Sequence, residues 1–497
     1  MSDRKKCIVI GAGLGGLASA VRLQASGFDV TILEKLEQIG GRARVFKLEG
    51  FSFDAGPTIV TAPFLIKELF ELTGKEMADY LTLLPTEPYY RIYFDDLTYI
   101  DYAHPNSNLP QIEKMSPRDV KGYQRMQKAL KPIYEKGFLR LADKPFETIF
   151  SMFKVAPALA RVRADKTVYS FVASFLKNEK LRRAFTIHPL LIGGSPFNVT
   201  SIYAMIQYLE KEFGVWFAKG GTTALVHALG KLFTDIGGKI EVNAEVKKIA
   251  VSEKQEVKGA HTIDDKYFEA PVIVCNSDVS YTYTNLIDSK YRKKNTDKRF
   301  ANANYSMGLF LVYFGVKKTY PDIPHHSIIL GPRYKELLDD IFRKKILADD
   351  FSAYLHLPTR SDPDLAPPNC ETCYILVPVP HLDADVDWDK EKYAYRDKIM
   401  NFLDKNIMPG LLDNLVVEKI LTPLDFKRDY LSYKGSAFQW EPLLTQSAYW
   451  RPHNRSEDVK GLYFASAGVH PGAGIPGVLL AGKLTADLVL KHTETKK

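Results

Sequence analysis

A glycine-rich segment close to the start of the chain has the residue types and spacing that bind a phosphate group. It follows the pattern Gly-x-Gly-x-x-Gly, and its residues are Gly11, Gly13, Leu14, Gly15 and Gly16. The first glycine makes a tight turn, the second lets the backbone approach a pyrophosphate, and the third lets the next helix pack on the strand. Glu34 follows where a carboxylate can accept hydrogen bonds from ribose hydroxyls, which disfavours NADP. We therefore predict a dinucleotide site here.

Two segments after Glu34 extend the site beyond what NAD requires. Residues 40–44 offer a second close backbone approach and a cation, and residues 53–58 offer another tight turn. FAD needs such contacts because its isoalloxazine extends past the diphosphate, so FAD is the predicted cofactor. A purely structural turn is the alternative for Gly40 and Gly41. The predicted FAD contacts in this region are Glu34, Lys35, Gly41, Arg42, Gly56, Pro57 and Thr58.

A glycine-rich loop near the end of the chain can complete the same site. It leads into a predicted helix over 478–489, whose N-terminus can stabilise negative charge on the pyrimidine edge of a reduced flavin. The alternative is a packing helix entered through a flexible loop. The predicted FAD contacts here are Gly468, Gly474, Ile475, Pro476 and Val478.

Hydrophobic patterning places these segments on alternating strands and helices. Residues 7–10 and 29–33 are predicted strands, and 14–26 is a predicted helix that Gly27 ends, which makes a βαβ unit. The other predicted elements are strands over 239–246, 307–316 and 373–379 and a helix over 151–165 kinked at Pro157. The pattern predicts an α/β fold with cofactor segments at both ends of the chain.

The composition excludes several classes of protein. The chain has 497 residues, 45% of them hydrophobic, and its 67 basic and 59 acidic side chains give a net charge of +8. This composition argues against a disordered or fibrous chain, and the charge is too modest and dispersed for a nucleic-acid-binding arm. Four cysteines are too few for a disulfide-linked secreted scaffold and indicate a reducing compartment. No segment has the length and composition of a membrane-spanning helix.

Candidate metal ligands do not form a recognisable metal site in the sequence. Cys370 and Cys373 make a single Cys-x-x-Cys pair with no second pair or histidine partner, and the acidic run over 383–389 lacks the glycine of a calcium loop. His188 and the pair His325-His326 are of types that more often have structural roles. We therefore predict no metal and assign these histidines no function.

Stretches spread over nearly the whole chain match a known protein family. They are Val9–Ala18, Gly40–Ala43, Phe53–Thr58, Leu181–Phe185, His188–Gly194, Gly214–Phe217, Lys219–Thr222, Cys275–Asp278, Gly435–Phe438, Leu444–Ser447, Trp450–Asn454 and His470–Gly477. The late stretches are the most restrictive. Through them the chain resembles the bacterial-type carotenoid desaturases, nearest to the phytoene desaturases, within the flavin-containing amine oxidase-like superfamily.

The resemblance implies a FAD-dependent oxidoreductase that removes hydrogen stepwise from phytoene, a polyene of forty carbons, towards lycopene. A hydride passes to the flavin from an allylic carbon and a proton leaves the neighbouring carbon. The resemblance further implies an apolar tunnel with few catalytic side chains, among which we name no catalytic base. It also implies a backbone contact from Val246 to the adenine side, and Asn276 and Asp278 at the edge of the cofactor domain. Oxygen or a quinone is the expected electron acceptor.

We expect three structural units. Residues 1–62, 216–290 and 440–497 are predicted to form a discontinuous Rossmann-like FAD-binding domain. Residues 63–215 are predicted to be a helical region that faces substrate and membrane, and 291–439 to form an inserted substrate-binding region with a mixed sheet.

So apolar a substrate has to come from a membrane. At roughly 0.8 kcal/mol per buried CH₂, half of its forty carbons favours lipid over water by on the order of 16 kcal/mol. The basic and apolar segment Phe150–Arg163 is the predicted membrane contact, on a cytoplasmic protein bound peripherally to the inner face of the cell membrane. The alternatives are a desaturase or isomerase of a thirty-carbon or hydroxylated carotenoid precursor, a flavin oxidase of amines or porphyrinogens, and a non-catalytic flavin-fold protein.

Overall fold

The structure, a computed structural model, describes residues 4–494, so residues 1–3 and 495–497 of the predicted FAD domain lie outside the described residues. The strands are β1 (Lys6–Ile10), β2 (Asp29–Leu33), β3 (Val45–Leu48), β4 (Phe51–Asp54), β5 (Leu83–Pro85), β6 (Tyr90–Tyr93), β7 (Tyr99–Tyr102), β8 (Trp216–Ala218), β9 (Lys239–Glu241), β10 (Val246–Val251), β11 (Val257–Thr262), β12 (Tyr267–Glu269), β13 (Val272–Cys275), β14 (Gly308–Val316), β15 (His326–Ile329), β16 (Ala353–His356), β17 (Glu371–Val379), β18 (Leu415–Leu421) and β19 (Leu462–Phe464). The helices are α1 (Leu14–Ala25), α2 (Pro63–Glu71), α3 (Pro105–Met115), α4 (Val120–Gly137), α5 (Ile149–Arg161), α6 (Val168–Ala173), α7 (Glu179–Ala184), α8 (Met205–Phe213), α9 (Thr222–Asp235), α10 (Val279–Tyr281), α11 (Asp297–Ala301), α12 (Tyr334–Asp339), α13 (Trp388–Asn406), α14 (Pro423–Tyr430) and α15 (Ile475–Glu494).

A parallel sheet gathers strands from distant parts of the chain. Its strand order is β19-β13-β1-β2-β9, and the predicted βαβ unit forms its centre. Val9 and Val274 are fully buried because the sheet is covered on both faces, as parallel sheets usually are. The glycine-rich segment and Glu34 therefore lie at the carboxyl ends of β1 and β2, where open α/β sheets bind nucleotides.

The predicted strand over 239–246 is wrong, because the structure divides this segment between two sheets. β9 ends at Glu241 and pairs with β2, whereas β10 begins at Val246 and pairs with β11 in a three-stranded antiparallel sheet. Asn243 lies between them with φ 54°, in the left-handed region, where a continuous strand cannot persist.

The second large sheet is mixed and has the strand order β18-β14-β17-β16-β15-β6-β7. On one face, Phe310 packs against Trp388 and Tyr395 of α13. Because successive side chains of a strand point to opposite faces of the sheet, the neighbouring residues Leu309 and Leu311 point towards a cavity on the other face. The range 63–215, predicted as a helical region, also supplies β6 and β7 to this sheet, through the parallel pairing of β6 with β15.

Two helices differ from their predicted bounds. α5 ends at Arg161 rather than at 165, and Pro157 lies within it without ending it. α15 begins at Ile475, three residues earlier than predicted, directly after Gly474 with φ 94°. Within residues 4–494, none of the helices combines the length and the apolar character needed to cross a bilayer.

Candidate functional site

A cavity of about 430 Å³ connects the parallel sheet with the mixed sheet. One end is lined by the glycine-rich segments around Gly13, Gly41 and Gly56, and the other by apolar side chains of β14, β15, β17 and α8. The loop before α15 lines it between these ends, through Gly474 and Ile475. The structure thus brings segments from the beginning, middle and end of the chain to one site.

The predicted phosphate-binding segment lies at the N-terminus of α1. Gly13 is the N-cap residue, and no side chain caps the helix, so the first-turn N–H groups are not bonded by any side chain. Gly13, Leu14 and Gly15 line the cavity there, and Gly11 makes the preceding turn with φ 97°. An uncapped helix N-terminus that opens to a cavity suits the pyrophosphate of a dinucleotide.

Two of the predicted contact residues, Gly16 and Gly468, do not line the cavity. A Cβ atom at Gly16 would overlap the carbonyl oxygen of Gly11, so this glycine allows α1 to pack on β1. A Cβ atom at Gly468 would overlap the side-chain oxygen of Gln439. The contact of Gly468 with the cofactor stays a prediction, and its neighbour Ala467 is the residue that lines the cavity.

Glu34, predicted to bind the ribose, directly follows β2 and lines the cavity with its carboxylate held by backbone groups. Its Oε2 accepts a hydrogen bond from the N–H of Ala12 at 2.7 Å, and its Oε1 accepts one from the N–H of Leu36 at 2.9 Å. Burial raises the pKa of the Glu34 carboxyl, and these two bonds and Arg44 oppose the rise. Lys35 also lines the cavity and forms an ion pair with Glu245 at 3.6 Å.

A partly buried cation, Arg42, and the amide of Asn276 also lie at this end. Arg42 lines the cavity, donates a very short hydrogen bond to Ser432, and has a buried Nε without a partner. Burial lowers the pKa of the Arg42 guanidinium and Asp278 raises it. Asn276, also a lining residue, donates to the carbonyl oxygen of Ala465 at 2.5 Å. An unpartnered guanidinium nitrogen beside an uncapped helix fits the diphosphate of FAD.

The remaining predicted contacts also line the cavity. They are Gly41, Gly56, Pro57, Thr58, Val246, Gly474, Ile475, Pro476 and Val478. Ile475, Pro476 and Val478 belong to the first turn of α15 and Gly474 directly precedes it, so this second helix N-terminus also opens to the cavity. That arrangement suits the pyrimidine edge of a flavin ring.

A hydrogen-bonded group at Thr58 was not predicted from the sequence. Thr58 Oγ1 lies 3.0 Å from the Tyr354 hydroxyl and 3.2 Å from the Tyr374 hydroxyl, and Tyr354 contacts His326 Nδ1 at 2.6 Å. Both tyrosines line the cavity, and burial raises the pKa of each. The tyrosines follow the alternation of β16 and β17, but only the folded sheet places them beside Thr58.

Three buried histidines lie behind this group. The ligating nitrogens of His325, His326 and His356 lie within 4.8 Å of one another, and His325 Nε2 lies 3.0 Å from His356 Nε2 in a hydrogen bond. Burial lowers the pKa of all three, so they stay neutral at pH 7. The sequence showed His325 and His326 as a pair, and antiparallel pairing of β15 with β16 adds His356.

The opposite end of the cavity is mostly apolar, and one acidic residue lines it. The acidic residues that line the cavity within the described chain are Glu34, Glu210, Glu245, Asp278 and Asp429. All except Glu210 belong to the dinucleotide end. Glu210 lies on α8, one turn after Ile206 and next to Leu209, and both of these residues line the cavity. The sequence contained a signal for this position, because an acidic residue at that spacing interrupts an otherwise apolar helix face.

Comparisons with known proteins agree with this site. Residues 14–490 match the family described as flavin containing amine oxidoreductase. The lycopene-forming phytoene desaturase of Pseudescherichia vulneris is 45% identical over 99% of this chain and 100% of its own length. The lycopene-forming phytoene desaturase of Pantoea ananas is 44% identical over 98% of this chain and 99% of its own. Among solved structures, cyclohexylamine oxidase from Brevibacterium oxydans has the same fold, with a TM-score of 0.62 at 16% identity over 99% of this chain and 100% of its own.

The family match and the dinucleotide end of the cavity agree on the cofactor, which is FAD. The extent of the similarity also decides the family. The chain is one of the flavin containing amine oxidoreductases and, within them, belongs to the bacterial-type phytoene desaturases.

Proposed function

We propose that this protein is a FAD-dependent desaturase that removes hydrogen stepwise from phytoene towards lycopene in carotenoid biosynthesis. The observation that carries the proposal is the continuity of the cavity, which joins a dinucleotide site to a long apolar surface. An amine substrate would need polar recognition, whereas the apolar end offers Leu309, Leu311 and Leu376 from the sheet. The names of the similar proteins indicate phytoene as the substrate.

The chain's own residues bind, orient and shield the polyene. When bound, FAD supplies the acceptor for the hydride that leaves the substrate. The alternate residues of β14, β15 and β17 present a flat apolar surface along which an extended polyene can lie. Because the same surface excludes water, polar competitors for the hydride and the proton are kept away from the reacting carbons.

The test is product formation in a carotenoid-free host that makes only phytoene, with the pigments separated by HPLC. The proposal expects coloured products of increasing conjugation up to lycopene, produced with oxygen or a quinone as the electron acceptor. A protein that holds FAD and leaves phytoene unchanged would contradict it. A parallel host that makes the thirty-carbon precursor tests the alternative suggested by the similarity, at 32% identity, to 4,4'-diapophytoene desaturase of Methylomonas.

We further propose that α5 docks the protein on the inner face of the cell membrane from the cytoplasmic side. None of its residues is buried, and Phe150 and Phe153 are 71% and 68% exposed. Lys154 and Arg161 lie on the same helix. Exposed aromatic rings beside cations are typical of helices that lie in the interface of an anionic membrane.

The three predicted units belong to the same proposal. The FAD-binding domain of 1–62, 216–290 and 440–497 is supported by the parallel sheet, whose strands come from all three ranges. Because β6 and β7 join the mixed sheet, we propose that 63–215 and 291–439 together form one substrate-binding unit. The helical part of 63–215 then lies between the membrane and the cavity.

A further inference from the structure

Desaturation requires a group that accepts a proton, and the apolar end of the cavity contains one carboxylate. Removing a hydride from one carbon leaves a cation-like centre, and the double bond forms when the neighbouring carbon loses a proton. No carboxylate other than that of Glu210 lines this end of the cavity in the described chain. The tyrosines of the cavity are poor bases in comparison, because burial keeps them protonated.

Glu210 is held in place by two partners. Its Oε1 accepts a hydrogen bond from the Tyr90 hydroxyl at 2.6 Å, and its Oε2 lies 2.8 Å from His188 Nε2. Glu210, Tyr90 and His188 are 1%, 0% and 0% exposed, so water does not compete for these bonds. Burial and the nearby Glu210 carboxylate raise the pKa of Tyr90, so Tyr90 remains a donor. These two hydrogen bonds compensate for the burial of a polar group in an otherwise apolar region.

His188 has a second nitrogen that the fold leaves without a partner. Its Nδ1 is buried and makes no hydrogen bond, although Tyr102 lies nearby with ring centroids 5.4 Å apart. The unpartnered nitrogen leaves His188 free to bond a further group, while its Nε2 holds the Glu210 carboxylate.

We propose that Glu210 is the catalytic base of the desaturation and that His188 is its positioning partner. The inference rests on the proposed function. In each step one C–H bond gives its electron pair and hydrogen to FAD as hydride. The neighbouring C–H bond gives its proton to the Glu210 carboxylate, and its electrons become the new π bond. A quinone then takes the hydride equivalent and the proton to become a quinol, which returns Glu210 to the carboxylate.

The proposal is tested by anaerobic flavin reduction with phytoene in liposomes. Glu210→Gln keeps the shape and an oxygen for Tyr90 but cannot accept the proton. We expect this variant to keep its flavin and to accumulate reduced flavin at least ~100-fold more slowly, because the hydride returns to the substrate cation when the proton is not removed; the factor is the usual contribution of a general base. Glu210→Asp keeps the carboxylate and is expected to recover part of the rate. Glu371→Gln, at a fully buried carboxylate of β17 on the opposite sheet face, is the matched control and should reduce its flavin at the wild-type rate.

An isotope effect separates catalysis from structure. With phytoene deuterated at the carbon that loses the proton, we expect a larger primary isotope effect in Glu210→Gln than in the wild type, because proton removal becomes rate-limiting. Wild-type reduction rates in Glu210→Gln, or slow rates with an unchanged isotope effect, would overturn the proposal. If Glu210→Gln does not fold, the same comparison in Glu210→Asp decides. A wild type that does not reduce its flavin with phytoene would reject the proposed function instead.

Discussion

Gly13, at the dinucleotide end of the cavity, cannot carry a larger side chain without a steric clash. A Cβ atom at this position would lie 2.5 Å from the Asn276 side-chain oxygen, and the residue lines the cavity at the N-terminus of α1. We expect Gly13→Val to lose at least ~90% of its bound flavin, because the side chain fills the place where the backbone must approach the pyrophosphate. The ratio of flavin to protein absorbance after purification measures this. Ala160→Val on exposed α5 is the control, and a Gly13→Val protein that purified yellow would contradict the assignment.

Asp54 gives the protein a pH-dependent stability. It is buried at the end of β4, where it accepts a hydrogen bond from the N–H of Thr222 at 2.8 Å, and burial raises its pKa to about 7. The pKa of this carboxyl is higher in the folded protein than its unfolded value of 3.8. The free energy of unfolding therefore falls as the pH rises from about 4 through 7, because the folded state loses the advantage of binding the proton. The difference between a pKa of about 7 and one of 3.8 corresponds to on the order of 4 kcal/mol in the free energy of unfolding.

We therefore expect Asp54→Asn, which keeps the oxygen that accepts from Thr222, to be more stable than the wild type above pH 7. The difference should shrink as the pH falls to 5, because the wild-type carboxyl becomes protonated. Urea unfolding of both proteins at pH 5, 6, 7 and 8 measures it. A stability difference that is the same at all four values would show that the Asp54 carboxyl does not titrate in this range.

The residues that bind FAD could be predicted where they are close in sequence, and the others could not. Gly11 to Gly16 and Glu34 belong to one βαβ unit, whose spacing determines their arrangement. Thr58 and Tyr354 are hydrogen-bonded although 296 positions separate them, and no local pattern reports such a pairing. Glu210 is an intermediate case. The sequence shows the apolar helix face on which it lies, but not the cavity that this face lines.

Among the elements, α1 and α15 approach each other unusually closely, and small residues make this possible. A Cβ atom at Gly482 of α15 would lie 2.8 Å from the Ala18 Cβ and 3.0 Å from the Gly15 carbonyl oxygen. Both helices begin at the cavity, so their separation fixes the distance between the two positive helix ends. The sequence predicted both helices, but their contact depends on the parallel sheet beneath them.

Gly482→Val should force α1 and α15 apart. We expect the free energy of unfolding to fall by about 1–3 kcal/mol, as for overpacking elsewhere, and the affinity for FAD to fall as well because the diphosphate and ring sites move relative to each other. Urea unfolding and flavin titration of the apoprotein measure the two effects. Ala160→Val on α5 again controls for a β-branched residue in a helix. Unchanged stability would show that the interface has room that the structure does not indicate.

The whole molecule combines an apolar cavity with an exposed helix that carries basic residues, and the proposed docking on a membrane connects the two. The net charge of +8 is modest, so its distribution matters more than its size. Lys154, Arg161 and Arg163 lie on or just after α5, next to the exposed Phe150 and Phe153. The sequence predicted this segment by its composition, and the structure shows Phe150 and Phe153 exposed, whereas Leu159 and Val162 of the same segment pack against the core.

Replacing Lys154, Arg161 and Arg163 with Glu changes the net charge from 8 to 8 − 6 = +2. We expect binding to anionic vesicles to weaken at least ~10-fold, at about 1 kcal/mol per basic residue near the surface, with flavin content unchanged. The matched control makes the same charge change at Lys390, Lys398 and Lys405 of α13, which packs on the face of the mixed sheet away from the cavity. Co-sedimentation at several salt concentrations measures both variants. Equal weakening would mean that overall charge, rather than α5, holds the protein at the membrane, whereas loss confined to the α5 variant identifies α5 as the docking surface.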